Sequence, residues 1–293
     1  MGSRVEAKAE ASAHFLARAY TAWWRVFAGT LVTISGASLP VILVLVLLAN
    51  DPPITPPILV RLVVLFTLLP GLVAWILQRA FAASVALRGA NLVVRRRDLQ
   101  LEIPCHSIEG VVPWVVPIPG PGLALLMRSG RRFRYGLQVA DPVPLLEALA
   151  DGGAIEATGA AWRHGTVVYA HAKQRVQRRR WYHRLGKFVG FALLPAAVLF
   201  YTHQHIAYGG PLGEYHLLGL RSYLRTFVIY WSTVSIYLVL YASVWRGMAE
   251  GVNLLAAWSA GPRAAGVRRA TEIACRVLYY GGVPVLLLLR YLP

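Results

Sequence analysis

The side chains best suited to bind a metal ion are three histidines that lie close together in the sequence, His203, His205 and His216. In a strand, residues at alternate positions point to the same side, and a third imidazole would complete a zinc or copper site. Glu214 lies beside them as the carboxylate that would act as a base. Tyrosines surround the same region, which is also typical of an aromatic belt at a membrane interface, and we favour that interpretation.

Six arginines form two basic groups that suit anionic ligands. The groups are Arg95, Arg96 and Arg97, and Arg131, Arg132 and Arg134. We expect the two groups on adjacent hairpin ends of one domain. Such arginines either form a solvated face or attract anionic lipid headgroups, at about 1 kcal/mol per basic residue near the surface. The sequence leaves both interpretations open.

An apolar stretch broken by prolines lies between the two arginine groups, from Val111 to Pro119. Proline cannot donate to a central sheet ladder, so this stretch is not expected to be an ordinary core strand. Trp114 and its neighbours Val115 and Ile118 therefore either pack on the protein's own helices or a partner, or dip into the headgroup layer. We favour packing, and we identify these three residues, with the arginines, as candidates for binding a partner or a lipid.

Signatures of catalysis are missing from the sequence. It has no glycine-rich phosphate loop, nucleophile elbow or pair of catalytic carboxylates. No Asp or Glu falls at the centre of a predicted membrane span, where a proton relay or ion-coupled transporter usually has one. We therefore expect neither an enzyme nor a cofactor.

Composition indicates a membrane protein. The chain has 293 residues, of which 57% are hydrophobic and only 15% charged, against about 25% charged in a typical soluble domain. The formal net charge is +17, which suits either nucleic acid or an anionic membrane surface. With a mean hydropathy of +0.52 and no nucleic-acid fingerprint, we expect lipid and no nucleic acid as partner.

Five segments are long and apolar enough to cross a bilayer, which requires about 20 residues. They lie near Val26–Ala49, Ile58–Leu77, Phe188–Tyr208, Thr226–Val244 and Ile273–Leu292. The pair Gly281-Gly282 with Pro284 is expected to break or kink the last one.

Basic residues predict the orientation of these spans. Lysines and arginines crowd the N-terminus, the approach to span three and the loop between spans four and five. The positive-inside rule then gives a multi-pass protein of the bacterial inner membrane with a cytoplasmic N-terminus and an outer C-terminus. Basic and aromatic residues before span three are expected to anchor the chain at the membrane surface. They are Arg178, Arg179, Arg180 and Trp181.

The residues Ala82–Leu149 read as a small domain of strands between spans two and three. Leu99–Ile103 alternates apolar and polar residues, as a strand with one wet face does. Ser129-Gly130 suits a hairpin turn, and Asp141 can cap a helix that runs to Ala150. Val167–Ala170 is short and strand-like, so it either completes this domain or belongs to the membrane surface.

This pattern resembles the bacterial pleckstrin-homology-like family, whose members sit beside paired transmembrane helices. The matching segments are the strand pair Leu92–Ile103, the step Pro104–Val111, Gly120–Leu123 before the next strand, and Ser129–Phe133. The proline-rich insert Pro113–Pro121 departs from the family, and no full set of seven strands is clear. The resemblance implies a partly open β-barrel capped by a helix, used for binding and scaffolding and lacking catalytic residues.

Together these features predict an α+β membrane protein with about five transmembrane helices and a small cytoplasmic β-barrel-like domain inserted between spans two and three. The expected domains are a cytoplasmic segment (1–25), a helical hairpin (26–80), the β domain (82–151), a basic juxtamembrane segment (152–187) and spans three to five (188–293).

The predicted function is that of a non-enzymatic accessory, scaffold or assembly subunit. Its β domain would bind a protein partner or anionic lipid, with other membrane-protein subunits among its partners. The alternative is a membrane enzyme or metal-handling subunit that uses the outer histidines.

Overall fold

The computed structural model describes residues 14–49, 55–97, 99–176, 181–259 and 261–291. The chain divides into two compact units. The sheet unit comprises Met1–Gly36, Leu65–Val176 and Glu250–Ala270, and the helical unit comprises Ala37–Val64, Gln177–Ala249 and Thr271–Pro293.

In the residues that the structure describes, seven strands form one antiparallel sheet that curls into a half-barrel. They are β1 (His14–Tyr20), β2 (Ala82–Arg88), β3 (Asn91–Arg96), β4 (Leu99–Pro104), β5 (Ile108–Pro113), β6 (Gly122–Met127) and β7 (Gly136–Val139). Their order in the sheet is β4-β3-β2-β1-β7-β6-β5.

The principal helices, in chain order, are α1 (Ala22–Leu48), α2 (Pro56–Ala80), α3 (Val143–Leu149), α4 (Ile155–Thr158), α5 (Gly165–Arg175), α6 (Tyr182–Tyr208), α7 (Gly213–Ser259), α8 (Ala264–Tyr280) and α9 (Gly282–Tyr291). Within the described part of the chain, five helical segments are long and apolar enough to cross a membrane: α1, α2, α6, α7 and Gly261–Leu289, which contains α8 and most of α9. Their number matches the five spans predicted from the sequence, and together with the sheet they fit a multi-pass α+β membrane protein.

The central strand of the sheet comes from the N-terminal segment, where the sequence predicted no strand. β1 pairs with β2 through Ala17 and Ala83, and with β7 through Ala17 and Val139. Ala17 and Ala19 face the core, and because they are small they give only a weak alternating pattern. The sheet is therefore built from segments on both sides of the first two helices.

β1 and β2 are neighbours although α1 and α2 lie between them in the sequence. One residue, Thr21, separates β1 from α1, and one residue, Phe81, separates α2 from β2. The backbone N–H of Ala19 donates to the carbonyl of Phe81 at 3.0 Å. The helical pair thus occupies the place that a turn has in an ordinary β-hairpin.

Helix α3 begins as the sequence predicts, because the Asp141 carboxylate accepts from the backbone N–H of Val143 at 3.1 Å. Leu145, Leu146 and Leu149 then pack against the inner face of the sheet in one buried cluster. The interpretation of Val167–Ala170 as a strand is wrong, since these residues lie in α5. The β-branched pair Val167-Val168 is compatible with either structure, and the helix is favoured here by a His164 side chain that caps its N-terminus.

Two features of the later helices differ from the expected spans. The predicted fourth span, Thr226–Val244, is the middle of α7, whose 47 residues include most of the expected loop to span five. Gly219, at φ 83°, interrupts the helical conformation inside α7. The break expected in the last span is confirmed, since α8 ends at Tyr280 and α9 begins at Gly282.

Candidate ligand groove of the sheet unit

Trp114, the first residue after β5, is held in a slot made by two glycines. Its indole ring lies over Gly122 of β6 and Gly136 of β7. A Cβ atom would come within 2.8 Å of the ring at Gly122 and 2.7 Å at Gly136, closer than packed carbon atoms approach. The missing side chains on two adjacent strands therefore make room for this ring.

The same tryptophan packs on the protein's own first helix. Tyr20, Ala28, Phe81 and Trp114 form one buried cluster, and only 5% of the Trp114 surface is exposed. Of the two alternatives, Trp114 therefore packs on the protein's own helix. Its ring is buried and does not insert into the headgroup layer. Insertion does suit the residues that follow, because Val115, Val116 and Ile118 are 67%, 54% and 40% exposed.

A groove of about 430 Å³ lies beside this loop. One side is formed by Arg25, Val26 and Gly29 in the first two turns of α1. The other side is formed by residues 112–116, Ile118, Ala124 and Arg132. The structure thus brings Trp114, Val115, Ile118 and Arg132, all singled out in the sequence, to one site.

Two guanidinium groups border the groove. The Cζ atom of Arg25 lies 4.8 Å from the centre of the Trp114 ring, a cation–π arrangement. Arg132 lines the groove and is exposed, as are its neighbours Arg131 and Arg134. The walls are apolar and the charges are positive, so the groove suits an anionic amphiphilic ligand.

The other predicted arginine group lies elsewhere in the sheet unit. Arg95 and Arg96 belong to β3, and Arg97 follows in the turn to β4. The expectation of adjacent hairpin ends is wrong, because β2 and β1 separate β3 from β7. Arg96 stacks instead over the Phe81 ring, 4.6 Å from its centre. The insertion of β1 into the sheet is what moves the two groups apart.

Three buried polar atoms of the sheet unit have no hydrogen-bond partner among the described residues: Tyr20 Oη, Trp114 Nε1 and Gln138 Oε1. Burial raises the pKa of the Tyr20 phenol, and the nearby charge of Arg18 partly opposes this shift. Tyr20 and Gln138 were missed in the sequence because their burial depends on the register of β1 with β7. The local sequence around each residue does not indicate this burial.

An ion pair between a buried arginine and a partly exposed glutamate joins three helices within the sheet unit. Arg268 in α8 is 2% exposed and donates to both carboxylate oxygens of Glu250, at 2.7 and 2.9 Å. Tyr169 in α5 donates its hydroxyl to the same carboxylate. Burial, followed by this contact with Glu250, raises the pKa of Tyr169 to about 12. In the sequence, Arg268 was only one of the basic residues that predict the orientation of the spans. In the structure it is buried and holds helices together through Glu250.

The histidines do not have the geometry expected of a metal site. His203 and His205 lie in α6, and two positions along a helix correspond to about 200° of rotation, so their side chains point to opposite sides. The ring of His203 lies 5.3 Å from that of Tyr230, and the ring of His205 lies 4.4 Å from that of Tyr201. The expectation of a strand was wrong, and within the described residues no group of three His, Cys, Asp or Glu side chains could hold a metal ion.

Glu214 is a buried structural acceptor. Its carboxylate accepts from Gln204 Nε2 at 2.7 Å, Ser222 Oγ at 2.8 Å and Thr226 Oγ1 at 2.7 Å. These hydrogen bonds connect α6 with the two parts of α7 on either side of Gly219 within the helical unit. They satisfy both oxygens, which explains how the carboxylate is tolerated at 2% exposure.

The predicted surface anchor comprises four residues before span three. Arg178, Arg179 and Arg180, and the side chain of Trp181, lie outside the described residues.

The fold and the groove define a multi-pass membrane protein with a seven-stranded sheet unit that carries a basic, apolar-walled groove. Comparisons with family models, curated proteins and solved structures found no match for this chain.

Proposed function

We propose that this protein is a non-enzymatic accessory, scaffold or assembly subunit of the bacterial inner membrane. Its sheet unit acts as a pleckstrin-homology-like module on the cytoplasmic side and binds a protein partner or an anionic lipid. One observation carries the proposal: Val115, Val116 and Ile118 are exposed beside Arg132 on a loop that is fixed by Trp114.

The fixed loop is what distinguishes a binding surface from an ordinary exposed segment. Trp114 is seated over Gly122 and Gly136, so the valines that follow it are presented in a defined position. Contiguous exposed apolar side chains typically mark interaction sites. A preorganised loop also loses little conformational entropy when it binds.

The charge of the chain supports an anionic partner and a cytoplasmic position for the sheet unit. The net charge of +17 favours association with anionic surfaces. The crowding of basic residues at alternate ends of the five spans agrees with a cytoplasmic N-terminus under the positive-inside rule. Since β1 lies in the N-terminal segment and is part of the sheet, the same rule favours the cytoplasmic side for the whole sheet.

Photo-cross-linking in native membranes tests the proposal. The full chain would carry p-benzoylphenylalanine in place of Val115 or, as the control, in place of Ile155. The two residues are matched, being 67% and 69% exposed on the same unit. We expect a discrete protein or lipid adduct at position 115, at several times the yield of position 155. Equal yields at the two positions would overturn the proposal.

A further inference from the structure

Three buried side chains of the sheet unit each have a polar atom without a hydrogen-bond partner among the described residues. Tyr20, Trp114 and Gln138 are 1%, 5% and 7% exposed, and Tyr20 Oη, Trp114 Nε1 and Gln138 Oε1 have no hydrogen-bond partner among the described residues. Buried polar atoms are nearly always paired, and an unpaired one indicates a ligand, ion or water. The set offers one donor, one acceptor and one hydroxyl that can do either.

The register of the sheet places these atoms together. Directly paired residues of antiparallel strands share a face, and Tyr20 pairs with Gly136 while Gln138 is two residues further along β7. Trp114 Nε1 lies 3.3 Å from the position that a Cβ atom of Gly136 would take. All three side chains therefore lie on the outer face of the sheet, and Trp114 among them lines the groove.

The groove supplies the rest of a phosphate-binding arrangement. Arg25 and Arg132 border it, and guanidinium groups bind phosphate oxygens through charge-assisted hydrogen bonds. Val26, Val112, Val115 and Val116 line the same space with hydrocarbon. The ligand that matches both parts has a phosphate head and an aliphatic chain.

The membrane is the source of such a ligand. The groove residues Arg25, Val26 and Gly29 belong to the first turns of α1, an apolar helix long enough to span a bilayer. Trp23 and Trp24 in the same turns are 76% and 39% exposed. Exposed tryptophans at the end of a span are typical of the headgroup layer, which also contains the lipid phosphates.

We infer that the groove beside Trp114 binds one anionic phospholipid, with its phosphate between Arg25 and Arg132 next to Trp114 and an acyl chain along the Val115–Ile118 loop. This inference rests on the proposed function, because it names the ligand of the same surface.

Native mass spectrometry of the full chain tests the inference. The protein would be purified in mild detergent and mixed with phosphatidylglycerol or, separately, phosphatidylcholine. We expect one phosphatidylglycerol per chain to be retained in preference to phosphatidylcholine. The double variant Arg25→Gln/Arg132→Gln should bind more weakly by roughly fivefold per arginine. The matched control Arg88→Gln/Arg163→Gln removes the same charge from exposed positions of the sheet unit that do not line the groove, and it should bind as the unaltered protein does.

Two further arms separate the possible sources of the signal. Trp114→Phe keeps a ring in the slot and removes the Nε1 donor, so it should weaken phosphatidylglycerol binding several-fold. Inorganic phosphate at millimolar concentration should not displace the lipid. Displacement would identify a free-anion site and overturn the inference, as would equal retention of the two lipids or equal losses in the two arginine variants. A protein adduct at position 115 without lipid retention would leave the proposed function standing and overturn only the inference.

Discussion

The Cζ2 atom of Trp114 lies 2.7 Å from the position that a Cβ atom would take on Gly136. The indole ring therefore fits only because β7 carries no side chain at that point. This relationship fixes the loop that forms one wall of the groove, and it links the stability of the sheet unit to the shape of the candidate site.

Gly136→Ala should displace the Trp114 ring and destabilise the protein by about 1–3 kcal/mol, the usual cost of overpacking. Thermal unfolding in detergent, followed by tryptophan fluorescence, measures the effect. Gly110→Ala is the control, because a Cβ atom there would meet its nearest neighbour at an ordinary 3.8 Å. Equal midpoints for the two variants would show that the slot is not tight.

Ala17→Asp should prevent the sheet unit from folding normally, because Ala17 is 6% exposed in the central strand. Burying an unpaired charge there would cost about 4 kcal/mol or more. Leu16→Asp changes the neighbouring residue, which faces outwards and is 90% exposed, so it should be tolerated. Limited proteolysis of the two variants in membranes would distinguish them, and equal resistance would contradict the position of β1.

Arg268→Met should destabilise the protein by about 1–3 kcal/mol, because the Glu250 carboxylate, which is 26% exposed, loses its bidentate partner. The adjacent Arg269 is exposed, so Arg269→Met should change the unfolding midpoint little. The chain thus offers two neighbouring arginines of equal charge and opposite environment. Similar losses in both variants would mean that the ion pair contributes nothing beyond net charge.

The free energy of unfolding should fall between about pH 10 and pH 12, and part of this fall should come from ionisation of Tyr169. The folded-state pKa of this phenol, about 12, lies above its ordinary value of 10.0. The folded state therefore holds the proton more tightly, and the stabilisation is full below pH 10 and lost as the pH rises towards 12. Tyr169→Phe should flatten this part of the profile by about 2–3 kcal/mol, as measured by denaturant unfolding across the range. An unchanged slope would contradict the assignment.

The sequence predicts the spans because long apolar runs carry their own signal. It also predicts the β3–β4 hairpin and the start of α3, where Asp141 and the prolines act locally. The groove could be predicted only in part. Trp114 and Val115 stand out among prolines, whereas Arg25 is one basic residue among many near the N-terminus.

What the sequence could not show depends on contacts between distant residues. The role of Ala17 follows from its pairing with Val139, and alanine gives a pattern too weak to identify a strand. The burial of Tyr20 and Gln138 follows from the same pairing. His203 and His205 have a spacing that suits a strand as well as a helix, and only the fold decides between them.

The position of β1 has a consequence for the order in which the protein is made. β1 leaves the ribosome first, but its partners β2 and β7 are synthesised only after both α1 and α2. The central strand therefore remains unpaired while the first two helices are synthesised. The sheet can therefore form only after β2 and β7 have been synthesised, so the groove is assembled late, after both helices of the first pair have left the ribosome.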